Sequence, residues 1–228
     1  MLLPIIIGFL IGLTLPAIAS RFGKLLPADP GGIILNLWHK PHFPKGPSVT
    51  QSGRLKRKWA KLILFSLIWG GILAELFWGT YLFLNAATAA WTCIFITIIA
   101  FCVIVDAKYC LLPDFFTLPL LITGFGFAVF MPLLTPIDSF IGAAGGYFIA
   151  TLSMILMGKK STAEIGAGDV KMITALGAWL GVSGLNFALL LSFFFFAIPI
   201  TFRGQKRGAY GPALGMAALI AFFILYVN

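Results

Sequence analysis

The sequence predicts an all-α, polytopic membrane helix bundle of about eight transmembrane helices, and three observations carry that expectation. Of 228 residues, 60% are hydrophobic and only 10% charged, with a mean hydropathy of +1.02. Such a composition excludes an ordinary water-soluble domain. Apolar stretches recur along nearly the whole chain, many long enough to cross a bilayer. The basic residues fall only in alternate connections between those stretches.

Eight spans are expected, at 2–18, 62–84, 88–105, 115–131, 139–157, 170–182, 185–202 and 209–227. The first lacks a basic flank and a clear small-x-small cleavage site before a soluble domain, so it does not read as a cleaved signal peptide. Residues 19–61 form a polar loop punctuated by Pro27, Pro30, Pro41, Pro44 and Pro47. No long soluble segment follows residue 61, so residues 1–228 are expected to form one integral membrane domain. Within span two, Glu75 is an intramembrane carboxylate, a functional candidate by default; a structural hydrogen bond to a neighbouring helix weighs equally. Span six is short. Its thirteen residues rise about 20 Å, against a hydrocarbon core of about 30 Å. Its start is therefore expected to be set in a recess, where irregular backbone is tolerated. Glycines spaced by four, at Gly142/Gly146, Gly177/Gly181 and Gly211/Gly215, are expected to serve close helix packing.

The positive-inside rule orients the bundle. Arg21, Lys24, Lys40, Lys45, Arg54, Lys56, Arg57, Lys58 and Lys61 fall in the first loop or at its end. Lys108 follows span three, Lys159, Lys160 and Lys171 flank the fifth connection, and Arg203, Lys206 and Arg207 lie between spans seven and eight. With alternating crossings all of them share one side. That side is expected to be the cytoplasm, with both termini outside. The net charge of +9 is then topological, and nucleic acid is not an expected partner; membrane lipid is.

The same alternation puts Asp106, Asp114 and Asp169 on the cytoplasmic face, delivered by segments far apart in sequence. Asp138 falls on the opposite face. Charged groups at such depths are costly and call for a reason. Asp169 sits in Gly166-Ala167-Gly168-Asp169-Val170-Lys171, whose glycines suit a tight, non-helical approach to a helix start. Two facing carboxylates can share a proton, one acting as general base on water and the other as acid toward a carbonyl. On helix-dipole grounds, Asp169 at a helix start is expected to be the ionised base and Asp106 at a helix end the neutral acid. No other catalytic set stands out. The serines have no histidine partner, because His39 and His42 both lie in the first loop and have no further metal ligands nearby. Glu164, beside the glycine motif, reads as a surface loop residue in preference to one that helps bind a basic peptide. Cys93, Cys102 and Cys110, odd in number and without a C-x-x-C, support neither a disulfide framework nor a cysteine metal site. No cofactor is expected.

G-A-G-D-V-K resembles the G-x-G-D-x-K signature of type IV prepilin peptidases, within the GxGD class of membrane aspartyl proteases. V-D-A-K-Y-C-L-L-P-D, residues 105–114, is similar to that family's first aspartate motif. Leu118-Pro119-Leu120-Leu121 and Tyr210-Gly211-Pro212-Ala213 follow as in the family. The resemblance covers about residues 75–228 and implies catalysis by Asp106 and Asp169. The resemblance also implies supporting motif roles for Pro113, Asp114, Gly166, Gly168 and Lys171. Asp114 reads plainly as a first-turn carboxylate behind a proline. The implied activity is removal of a basic leader from type IV prepilin-like proteins at the cytoplasmic face of the bacterial inner membrane. Alternatives are another GxGD protease acting on a different leader or membrane peptide, a proton-coupled transporter using carboxylates such as Glu75, and an inactive assembly protein. Typical members also carry two C-x-x-C pairs in the first loop, which bind zinc and accompany N-methylation of the product. Residues 19–61 hold no cysteine, so a peptidase without methyltransferase activity is expected.

Overall fold

The computed structural model describes residues 2–25, 49–157, 166–203 and 209–226. Among them the protein is entirely helical. Its helices are α1 (Leu2–Leu25), α2 (Val49–Phe83), α3 (Ala86–Tyr109), α4 (Asp114–Phe130), α5 (Pro136–Met157), α6 (Ala167–Arg203) and α7 (Gly211–Tyr226). Five stretches are long and apolar enough to cross a membrane, and α4 and α7 are shorter apolar helices. The chain is a multi-pass membrane protein. Both ends of the polar connection 19–61 are helical, because α1 runs on to Leu25 and α2 already begins at Val49. His39, His42 and Glu164 lie outside the described residues.

Backbone contacts divide the chain into two compact units, Met1–Phe83 and Leu84–Asn228. In the first, α1 lies against α2 through glycines. A Cβ at Gly8 would sit 2.7 Å from the Leu73 carbonyl oxygen, and one at Gly12 would sit 2.6 Å from Gly70 Cα. Gly8 and Gly12 thus form a small-residue seam, a pair the sequence reading did not single out.

The second unit is built around α6. A straight helix of its 37 residues would measure about 55 Å, nearly twice the hydrocarbon thickness. The helix instead breaks at Gly181, whose φ of 65° and ψ of −171° fall in a region essentially reserved for glycine. There the chain folds back. A Cβ on Gly146 of α5 would lie 3.0 Å from the Ile173 carbonyl oxygen and 2.9 Å from Leu185 Cδ2. In a straight helix those two residues would be about 18 Å apart. The arms, 167–180 and 182–203, correspond to the expected spans six and seven, with the turn two residues earlier.

The glycine pairs of α5 and α6 pack as expected. A Cβ at Gly142 would run into the Gly177 carbonyl oxygen, and one at Gly177 into that of Gly142. Ser139 Oγ donates to the Ala178 carbonyl across the same seam at 2.6 Å. In lipid, such close contact and buried hydrogen bonds replace the hydrophobic drive between helices. Trp179, fully buried, is the hub of the unit. Its indole N–H donates to the Leu120 carbonyl of α4 at 2.8 Å. Its rings lie 4.6 Å from Phe95 of α3 and 4.9 Å from Phe127 of α4, centroid to centroid. Pairs of this kind contribute about 0.5–1.5 kcal/mol each beyond their buried area.

The ends of the helices explain where the chain turns. Asn85 Oδ1 accepts the Thr88 N–H at 2.9 Å and caps α3. Ahead of α5, Thr135 Oγ1 accepts the Asp138 N–H at 3.1 Å and donates to Asp138 Oδ2 at 2.7 Å, a reciprocal cap with Pro136 at the first helical position. A Cβ at Gly181 would be 3.6 Å from that of Asp138, so Asp138 belongs to the turn end of the α6 hairpin. The other end carries the site.

Candidate active site

Four helix ends converge there. α3 carries Asp106 through its last turn and runs on to Tyr109, so Asp106 lies inside the helix rather than at its end, as the sequence had suggested. The Cys110 N–H closes the helix on the Asp106 carbonyl at 2.8 Å. Cys110 then takes a left-handed conformation, with φ 49° and ψ 43°, the common way to end a helix. Leu111, Leu112 and Pro113 cross to α4, which starts at Asp114 with Pro113 as its extended N-cap.

Asp169 occupies the first turn of α6. Gly166 is the cap: its carbonyl accepts the Asp169 N–H at 2.9 Å, and its own N–H donates to Asp169 Oδ2 at 3.2 Å. This is the acidic half of a capping box, the third helical residue reaching back to the cap. The helix begins at Ala167, so Gly168 is helical, contrary to the non-helical approach expected for it. Its lack of a side chain serves proximity instead. A Cβ there would be 2.8 Å from Leu112 Cβ and 3.0 Å from the Leu112 carbonyl oxygen. Gly168 thereby lets the start of α6 press against the connector from Asp106 to Asp114.

Asp106 is buried, at 4% exposure, and Asp169 is half-buried. The two carboxylates lie within electrostatic reach of one another. Asp106 Oδ2 accepts the Gly211 N–H at 2.8 Å, and Gly211 is the first residue of α7. Each aspartate therefore faces a helix N-terminus, Asp106 that of α7 and Asp169 that of α6. The dipole argument that assigned base and acid from sequence no longer separates them, because it counted only the helix carrying each residue.

Gly211 is also a correction to the packing role expected for it with Gly215. A Cβ on Gly215 would meet Val103, Ile99 and Met172, which is helix packing. One on Gly211 would sit 2.6 Å from Asp106 Oδ2, so this glycine admits the carboxylate. The sequence signals of a special helix start were the adjacent Pro212, allowable in a first turn that spends no N–H inside the helix, and the family-like Tyr210-Gly211-Pro212-Ala213 segment around it.

Lys171 and Asp114 join the two motifs. Lys171 Nζ lies 2.6 Å from both carboxylate oxygens of Asp114, with side-chain exposures of 42% and 57%. An ion pair so exposed contributes at most about 1 kcal/mol; its clear effect is to tie the start of α4 to the start of α6. Glu75 lies exposed on α2, in the first unit.

A multi-pass helical bundle that gathers two acidic side chains from separate helices, each oriented by a helix start, defines a membrane protein with a paired-aspartate centre. Residues 93–201, a stretch that contains both aspartates, match the type IV leader peptidase family. Similar curated proteins are named prepilin leader peptidase/N-methyltransferase. That of Neisseria gonorrhoeae is 34% identical over 128 residues, covering 52% of this chain and 43% of the relative. That of Aeromonas hydrophila is 35% identical over 155 residues, 63% of this chain and 49% of the relative. The chain thus spans a little under half the length of these relatives. No solved structure matches it.

Proposed function

We propose that this chain is an aspartyl endopeptidase that removes the basic leader from type IV prepilin-like proteins, at the cytoplasmic face of the bacterial inner membrane. Asp106 and Asp169 are the catalytic pair. The observation that carries the reading is that both aspartates fall within the family-matched stretch, with the Gly211 and Gly166 N–H groups each holding one carboxylate.

In the proposed reaction, one carboxylate takes a proton from water as the water oxygen bonds to the scissile carbonyl carbon. The other gives its proton to the carbonyl oxygen, and a tetrahedral diol results. Collapse of the diol breaks the C–N bond, with a proton passing to the departing amine. The two carboxyls then hold one proton between them, as at the start. Backbone donors suit this work, because they orient a carboxylate without adding a second charge beside it.

The zinc of typical members needs cysteines in the first loop. The three cysteines here are Cys93, Cys102 and Cys110, all outside 19–61, so the residues present do not fit that metal. We propose a peptidase without the methyl-transfer step. Asp106→Asn and Asp169→Asn are the test. Each should lower leader removal by about 10²–10⁴-fold, the usual contribution of a positioned acid or base, while the purified protein keeps its unfolding midpoint. Normal processing by either variant would refute the pairing.

A further inference from the structure

Asp106 owes its place to the first residue of α7, and the residue before that is held by a contact the reaction does not use. Tyr210 is the cap of α7: its carbonyl accepts the Leu214 N–H at 3.0 Å. Its hydroxyl lies 2.5 Å from Ser192 Oγ, on the second arm of α6. The direction of this bond follows from the donors available. Ser192 Oγ already donates to the Leu189 carbonyl at 2.8 Å, and a hydroxyl has one proton to give. Tyr210 therefore donates and Ser192 accepts. Ser192 is fully buried, and the Phe196 ring stands edge-on to Tyr210 at 5.2 Å and 89°. The tyrosine is thus fixed on two sides by the second arm of α6.

A helix start is a poor place to hold an orienting donor unless something anchors it. The first N–H groups of a helix have no partner within it, and terminal turns fray. Gly211, without a side chain, has no anchor of its own. Asp106 lies on α3 and Asp169 on the first arm of α6, and the fold-back at Gly181 brings the second arm alongside. Tyr210 adjoins Gly211, whose N–H holds Asp106, which puts it at the same end of the bundle as the pair.

We infer that Tyr210 is a positioning residue of the paired-aspartate site: its hydroxyl, seated on Ser192, fixes the start of α7 so that the Gly211 N–H holds the Asp106 carboxylate in register with Asp169. The kinetic part of this inference rests on the peptidase reading; the structural part does not.

The experiment uses the full chain purified in detergent, with Tyr210→Phe, Ser192→Ala and the double variant. The substrate is a synthetic protein with a short basic leader, a glycine and a hydrophobic helix. Each single variant should lower kcat about five- to tenfold with KM unchanged, in line with loss of one buried hydrogen bond. The double variant should be no slower than the slower single, because both delete the same bond. Additive losses, a raised KM with kcat intact, or undiminished kcat would each overturn the inference. A second readout needs no activity. With ¹⁵N-glycine labelling, the Gly211 amide should exchange with solvent faster in Tyr210→Phe, in Ser192→Ala and in Asp106→Ala than in the wild type. Unchanged exchange in the first two overturns the inference. Faster exchange in all three, with a wild type that cleaves nothing, sustains the positioning role and removes the peptidase reading instead.

Discussion

Gly181→Ala puts the reversal of α6 to the test. Gly181 sits at φ 65° and ψ −171°, and a residue with a Cβ held there costs of the order of 1–3 kcal/mol. The new methyl would also lie 2.9 Å from Leu134 Cδ1. That atom is the end of a flexible side chain and can shift, so the backbone cost dominates. A net loss of about 2 kcal/mol lowers the unfolding midpoint by about 4–8 °C, using the scaling for a domain of about 150 residues. Gly145→Ala in α5 is the control. Nothing lies within 4 Å of its added Cβ, and alanine gains up to about 1 kcal/mol over glycine within a helix. The assay is thermal unfolding of detergent-purified protein followed by circular dichroism, with leader removal measured on the same samples. The turn joins the arm bearing Asp169 to the arm bearing Ser192, so strain at Gly181 should also slow turnover. A wild-type midpoint for Gly181→Ala, or equal losses in the two variants, would refute the reasoning.

Three further outcomes are expected. Asp114→Asn and Lys171→Met should show a coupling energy of no more than about 1 kcal/mol, shrinking with added salt, because the pair is exposed; a double-mutant cycle on unfolding free energy checks it, and about 2 kcal/mol or more would contradict it. If the proposed peptidase activity holds, a prepilin processed by this protein alone should have a free, unmethylated N-terminus; mass spectrometry decides, and an added methyl group refutes the proposal that residues 19–61, lacking cysteine, carry no methyl-transfer activity. A reporter fused after Asn228 should read as periplasmic and one inserted within 40–50 as cytoplasmic; opposite readings would remove the positive-inside argument for the site's orientation.

The sequence alone determined the helical membrane class, because unbroken apolar runs have few other ways to satisfy their backbone in lipid. It also located both aspartate motifs, since a carboxylate at the edge of an apolar run stands out against so few charges. Pro113 ahead of Asp114 marked the start of α4 through local rules alone. What escaped it depends on which segments meet in space. Periodicity has no means of telling Gly211, which admits a carboxylate, from Gly215, which admits aliphatic side chains; the two are the same residue four positions apart. The Tyr210–Ser192 bond joins the second arm of α6 to the start of α7 across the connection between them. The dipole acting on Asp106 belongs to α7, more than a hundred residues away along the chain. Tertiary structure decided these points because a hydrogen bond or a helix field acts through distance in space, and only the folded bundle makes those distances short.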